Sequence, residues 1–216
     1  MRAPLALVTT DVTGMIVTRS ANARTQFFPS WAGLQITVNG IVGLIASVPS
    51  GQELILAAPG VGQFLNPVPL VPNRETVYQA FVNNLQNKIT GLSSPISRVP
   101  ADFAKYSVEQ TPVMWVEQVG EHPSDPGRGM PYAWTFDVAV GLYVFVGDSF
   151  ATPPVTLLNP ILDQLEAAMS PASPGGRGLT LDGLVYETRL ISSSKEAAGA
   201  IVDRGWAYVP AVIRVQ

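Results

Sequence analysis

The strongest constraint on the fold is a row of large apolar side chains at every second position of the segment WTFDVAVGLYVFV, residues 134–146. Successive side chains of a β-strand point to opposite faces, so this spacing places one apolar row on one face. That row contains Trp134, Phe136, Val138, Val140, Leu142, Val144 and Val146. Thr135, Asp137 and Tyr143 fall on the opposite face. The pattern predicts a long strand in a sheet that buries one face.

Two segments have helical spacing instead. After Asn73, a suitable N-cap, apolar residues recur every four positions, and Gly91 is the expected stop. This row contains Val77, Phe81, Leu85 and Ile89. A second helix is predicted over residues 159–169, with Pro160 in its first turn, where proline is tolerated.

Further strands are predicted over residues 111–119, 183–192 and about 200–215. The resulting order is helix, strand, strand, helix, strand, strand. It predicts an α+β domain over residues 73–216, in which two helices pack on one face of a mainly antiparallel sheet.

Residues 1–72 are predicted to form a separate β-rich N-terminal module. Five short segments rich in Val, Ile, Leu and Thr are separated by turn residues, at 4–10, 13–19, 34–38, 43–48 and 53–58. The proline-rich connector FLNPVPLVPN, residues 64–73, is expected to be extended and to form neither a helix nor a central strand.

Charged residues are scarce, at 13% of the chain, where roughly 25% is ordinary. Residues 1–72 contain only five of them. Because interface cores are depleted in charge, the shortage predicts an obligate oligomer. A membrane span is not expected, since the best apolar stretch, residues 36–48, is shorter than the roughly 20 residues required, and the N-terminus lacks the pattern of a signal peptide.

Other classes of function find little support in the composition. The net charge of -3 does not favour phosphate binding, and the absence of cysteine excludes disulfides and thiolate sites. The polar segment EQVGEHPSDPGRGMPYAWT, residues 117–135, contains the single histidine. Glu121, His122 and Asp125 could form a metal or acid–base site, but a contact loop explains them better because no second His or Cys is present. We therefore predict no catalytic residue, no metal and no cofactor.

The segment between the two strands is predicted to be a long hairpin loop at an interface, since proline and glycine stiffen it. Its candidate contact residues are Glu117, Glu121, His122, Asp125, Arg128, Met130 and Tyr132. The candidate core or interface anchors are Trp115, Trp134 and Trp206.

Several of these segments, taken together, resemble the tail terminator (tail completion) proteins of long-tailed bacteriophages. The order G-E-x-P then R-G-x-P-x-x-W, which marks the hairpin in that family, occurs here at residues 120–123 and 128–134. LLNPILDQLEAAM, residues 157–169, corresponds to the family's second helix, and VYQAFVNNL and PAVIRV match its first helix and last strand. The resemblance covers residues 76–216.

The resemblance implies a structural virion protein, assembled in the host cytoplasm and located in the neck of the tail. It would form a ring, expected to hold six copies, at the head-proximal end of the tail tube. There it would end tube polymerisation and join the tail to a head-completion protein. DNA would pass through the lumen without sequence-specific binding, because an acidic chain repels phosphate.

Two alternatives stay open. One is another neck or head–tail connector protein, or the equivalent part of a phage-derived tail-like particle. The other, in a different class, is a small-molecule-binding or enzyme domain with residues 120–131 as a lid. If the chain is a tail terminator or another neck protein, residues 1–72 are expected to contact a neighbouring protein of the neck.

Overall fold

The computed structural model describes residues 6–20, 26–59, 61–66, 68–124, 133–147, 153–170, 179–191, 195–196 and 203–215. It contains two α-helices and two mainly antiparallel sheets, which confirms the predicted α+β class. None of the helices in these ranges combines the length and the apolar character that crossing a membrane requires.

Six short strands of the N-terminal part close into an antiparallel barrel in the order β1-β2-β5-β4-β3-β6. The strands are β1 (Ala6–Thr10), β2 (Ile16–Arg19), β3 (Gln35–Val38), β4 (Ile41–Ser50), β5 (Glu53–Leu56) and β6 (Val68–Pro72). Alternate side chains fill the interior, where Val8, Val17, Ile36, Val38, Leu54, Leu56 and Leu70 are fully buried. Closure removes the unpaired edges that short strands would otherwise expose.

The prediction that the proline-rich connector forms no central strand is wrong. Strand β6 lies inside it and pairs with β1 on one side and with β3 on the other. Proline fixes φ at a value compatible with extended backbone, so it can occupy strand positions whose N–H is not needed by a neighbour. The connector is therefore the strand that closes the barrel.

Helix α1 (Arg74–Lys88) follows the barrel directly. The side chain of Asn73 accepts a hydrogen bond from the backbone N–H of Thr76 at 2.7 Å, which confirms the predicted N-cap. The predicted apolar row, Val77, Phe81, Leu85 and Ile89, is buried. The helix ends at Lys88 because Ile89 is already extended, so Gly91 is not the stop.

The second sheet consists of five strands around β8 and β11. These are β7 (Val113–Ser124), β8 (Ala133–Phe145), β9 (Glu187–Leu190), β10 (Lys195–Glu196) and β11 (Arg204–Val215). Strand β8 pairs with β7 and β11, and β11 pairs on its other side with both β9 and β10. Strand β7 is thus an edge strand of this sheet.

The alternation predicted for β8 is confirmed. Phe136, Val138, Val140, Leu142 and Val144 are buried in one apolar cluster that also contains the inner residues of α1 and the barrel. Helix α2 (Pro154–Met169) packs on β8 and β11 and also contacts α1. Both helices therefore share one apolar core with this face of the sheet.

Helix α2 begins five residues earlier than predicted. Because it starts at Pro154, Pro160 lies in the helix interior and not in the first turn. An interior proline removes one backbone hydrogen bond, and its cost is about 3 kcal/mol. Burial of Leu158, Ile161, Leu162 and Leu165 offsets that cost.

Candidate assembly interface

The strands of the β7–β8 hairpin are longer than the sequence suggested. Residues 117–124 belong to β7, so Glu117, Glu121 and His122 lie on a strand and not in a loop. Gly120 and Pro123 indicate a loop in the sequence, but both pair with β8, because an edge strand accommodates glycine and proline. Asp125, Arg128, Met130 and Tyr132 lie outside the described residues.

The outer edge of β7 is covered over only part of its length. The backbone N–H of Val116 donates to Ser97 O at 2.9 Å, and Ser97 N–H donates to Met114 O at 3.0 Å. The backbone groups of every second residue of a strand point to the same edge. The N–H and C=O of Gln118, two residues after Val116, therefore point to the same outer edge as the N–H of Val116. Within the described part of the chain, no backbone group pairs with Gln118 on that side.

A β-bulge follows at once. The register with β8 shifts between Gln118 and Gly120, and Val119 is the extra residue, with 65% of its surface exposed. Natural sheets blunt their edges with bulges, charges or prolines because an open edge is a template for another strand. Here the bulge leaves the apolar side chain of Val119 on the surface, beside an outward N–H and C=O of Gln118 that no described backbone group pairs.

Glu121 connects the hairpin to α1. Arg74 at the start of the helix donates from Nε to Glu121 Oε1 at 2.7 Å, and its guanidinium carbon lies 5.5 Å from the centre of the Trp134 ring. Trp134 packs, partly buried, on the main apolar cluster. The three side chains connect the loop end of the hairpin to the start of the helix.

His122 lies on the opposite face of the sheet. Its Nδ1 is 3.2 Å from Asp137 Oδ2 on β8, and about half of the imidazole is exposed. Among the residues that the structure describes, no three His, Cys, Asp or Glu side chains gather into a group able to hold a metal. The pair is therefore best described as a surface contact between neighbouring strands.

Glu117 is also held on this outer face. The hydroxyl of Tyr208 on β11 donates to Glu117 Oε2 at 2.6 Å, across the intervening strand β8. Burial raises the pKa of Tyr208, and the bond to Glu117 raises it further. The hydrogen bond fixes the carboxylate of Glu117 in place. The phenol of Tyr208 stays neutral over the whole physiological range of pH.

The remaining predicted anchors, Trp115 and Trp206, belong to an aromatic layer on the same face. Trp115 is 2% exposed and lies 5.9 Å from Phe103, which stacks on Tyr143 at 4.5 Å and on Trp206 at 6.1 Å. Phe103 comes from the segment that precedes β7. Trp115 is therefore buried beneath the segment that carries Phe103, whereas Trp206 is only partly buried in this layer and Trp134 packs on the helix side.

The barrel also exposes apolar side chains. The low charge of residues 1–72 predicts a contact surface in this part of the chain, but it does not say where that surface lies. Among its described residues, the exposed large apolar side chains are Leu7, Val12, Ile16, Ile41, Val42, Leu44 and Leu65. Val42 and Leu44 follow each other on the outer face of β4, at 56% and 46% exposure. Contiguous exposed apolar side chains mark surfaces that other proteins cover.

Comparison with known proteins does not add an identification. The chain matches no protein-family model, and a search of curated proteins gives no match.

Proposed function

We propose that the chain is a structural subunit of a phage-type tail, a tail terminator that assembles into a ring at the head-proximal end of the tail tube. Each subunit presents the segment around Gln118 and Val119 to a neighbouring copy. The ring ends tube polymerisation and offers its other face to a head-completion protein. This role requires surfaces for assembly and no catalytic group.

The open edge of β7 is the observation that carries the proposal. Main-chain groups of Gln118 face outward beside an exposed Val119, on a hairpin that Arg74 and Glu121 connect to α1. An outward N–H and C=O beside an exposed apolar side chain support addition of a strand from outside, in which backbone hydrogen bonds provide affinity and the adjacent side chains provide specificity. A head-to-tail contact of this type closes into a ring when the rotation between copies permits it.

The barrel supports a second contact, with a different partner. Its exterior combines exposed Val42 and Leu44 with very few charges, of which Asp11, Arg19 and Glu53 lie in described residues. A barrel has no free edge, so a partner must bind by covering its side chains. We assign this surface to a neck neighbour, either the tail tube protein or the head-completion protein.

The net charge of -3 supports a lumen through which DNA slides. An acidic wall repels phosphate and avoids the counterion release that makes basic surfaces bind DNA tightly. No sequence-specific readout is part of the proposal.

Substitution of Gln118 tests the proposed contact directly. Gln118→Pro removes the N–H that points away from β8, whereas Gln118→Ala keeps that N–H and serves as the matched control. Electron microscopy of the purified proteins should show rings for the alanine variant and separate subunits for the folded proline variant. Rings of normal appearance from Gln118→Pro would refute the role of this edge.

Another neck connector protein would use the same two surfaces and would differ in its position along the tail. Labelling the protein within intact particles distinguishes the two roles, because a terminator lies directly on the last ring of the tube. The interpretation of residues 120–131 as a lid over a small-molecule site has no specific support in the described residues, and we do not propose it.

A further inference from the structure

The segment that covers the start of β7 ends one step before Gln118. Ser97 forms a parallel bridge with Trp115, in which the N–H of Val116 donates to Ser97 O at 2.9 Å. In a regular parallel ladder the next residue to pair would be Val99. Its N–H would donate to Val116 O, and its C=O would accept from the N–H of Gln118. This step is absent among the backbone hydrogen bonds of the described residues.

The hydroxyl of Ser97 occupies both backbone groups of Val99. The N–H of Val99 donates to Ser97 Oγ at 2.9 Å, and the same hydroxyl donates to Val99 O at 2.9 Å. Residues 98 and 99 form a bend, and Val99 is 70% exposed. A serine side chain that bonds nearby backbone groups competes with the pairing of those groups to a strand. Val99 is therefore turned away from the edge of β7 with its hydrogen bonds already made.

The hydroxyl of Tyr78 on α1 occupies the next acceptor on the edge. It donates to Val116 O, which the N–H of Val99 would use in a longer ladder. Tyr78 is buried in the main apolar cluster, so its position is determined by the packing of α1. Extension of the ladder would exchange existing hydrogen bonds for new ones of the same kind, so no net gain drives it.

Arg98, between Ser97 and Val99, connects the bend to the same helix. Its Nη2 donates to Glu75 Oε2 at 3.0 Å, and its guanidinium carbon lies 4.4 Å from the centre of the Tyr78 ring. Both partners lie on α1. The bend is thus held by the helix that also supplies the hydroxyl bound to the edge.

From this arrangement we propose that Ser97 and Tyr78 form a stop, which ends the covering segment and reserves the outer edge at Gln118 for the neighbouring subunit. They are positioning residues, because they act through Val99 and Val116. Without the stop, Val99 extends the ladder and competes with the neighbouring copy for the N–H of Gln118. The inference rests on the proposed ring contact at Gln118, but the stop is a property of the single chain and can be measured without a ring.

A disulfide between residues 99 and 117 reports the extended ladder. The chain contains no cysteine, so Val99→Cys with Glu117→Cys introduces the only two thiols. In a longer parallel ladder these two residues would lie opposite each other at about 4.8 Å, within the roughly 4.4–6.8 Å between Cα atoms that a disulfide allows. The rate of crosslinking in a glutathione redox buffer is read on denaturing gels without reductant.

Removal of the stop should accelerate this crosslink. Ser97→Ala with Tyr78→Phe deletes both hydroxyls, and in the two-cysteine protein we expect the rate to rise by about tenfold or more. Ser93→Ala with Tyr143→Phe is the matched control, since it removes the hydroxyls of an exposed serine and of a buried tyrosine away from the bend. The control pair should leave the rate unchanged.

The crosslink should also block assembly. When the two cysteines are oxidised, Val99→Cys covers Gln118, and native mass measurement should show single subunits. Reduction with dithiothreitol should restore rings, and each single-cysteine variant should form rings in both conditions. Without any cysteine, Ser97→Ala with Tyr78→Phe should form fewer rings than the control pair at equal concentration.

Two results would overturn the proposal. One is a crosslinking rate that stays the same when both hydroxyls are removed. If Tyr78→Phe does not fold, Ser97→Ala alone decides, compared with Ser93→Ala. The other is oxidised, crosslinked protein that still forms rings. A wild type that forms no ring contradicts the proposed function and with it the purpose of the stop, whereas the crosslinking rates still decide whether the stop exists.

Discussion

The indole ring of Trp115 lies directly over Gly141, its partner on β8, so that a Cβ at position 141 would be 2.1 Å from two ring carbons. Glycine is therefore required here by the closeness of the ring. The contact lets Trp115 lie flat on the sheet, where Phe103 and Tyr208 pack against its ring. It fixes the aromatic layer on the outer face of the β7–β8 hairpin.

Gly141→Ala should destabilise the protein by about 1–3 kcal/mol, because the ring of Trp115 must move to admit the methyl group. Gly120→Ala is the matched control in the same hairpin, since its Cβ would meet only Asp137 Oδ2 at 3.5 Å, an ordinary contact. Urea unfolding of both variants measures the difference. Equal stability of the two variants would contradict the packing of Trp115.

The tryptophans of the hairpin should differ in their contribution to stability. Trp115→Ala should cost about 3–5 kcal/mol because the side chain is buried. Trp134→Ala should cost about 1–2 kcal/mol, since Trp134 is only partly buried and its contact with Arg74 is exposed. Chemical denaturation gives both values, and a larger loss for Trp134 would show that the two faces of the sheet are assigned wrongly.

Stability should fall at alkaline pH because of buried phenols. Burial raises the pKa of Tyr78, Tyr143 and Tyr208 above the ordinary value of 10.0. The folded state thus holds these protons more tightly than the unfolded chain. The resulting stabilisation is complete below pH 10 and is lost as the pH rises through the folded pKa values.

Thermal unfolding between about pH 8 and pH 11 tests this sign. Tm should decrease above about pH 10 in the wild type and decrease less in Tyr208→Phe, which has one titrating phenol fewer. A Tm that rises over this interval, or an identical decrease in the variant, would be inconsistent with a buried Tyr208.

The barrel surface should be needed for tail joining and not for folding. Val42→Ser with Leu44→Ser places two hydroxyls on an exposed strand face, so the Tm should change little while binding to the neck neighbour is lost. Val99→Ser, at a position 70% exposed outside the barrel, is the control. Complementation with each variant gene reports particle assembly, and full infectivity of the double variant would exclude this surface as a contact.

Local patterns in the sequence were sufficient to predict β8 and α1. Alternation over 13 residues is compatible only with a strand. The Asn73 cap, followed by apolar residues every four positions, is compatible only with a helix. Such signals depend on residues close in the chain. The five first strands of the barrel were predicted for the same reason.

The remaining elements depend on partners far along the chain. Strand β6 looks like a linker because of its prolines, and it becomes a strand because β1 and β3 lie on both sides of it. The end of β7, with Gly120 and Pro123, looks like a loop until β8 pairs with it.

The native mass of the purified wild-type protein shows directly whether the subunits form a ring. We expect assembly into a ring, seen as one dominant species with six times the 23.0 kDa mass of the chain and stable on dilution. A folded monomer as the only species, at every concentration, would contradict it.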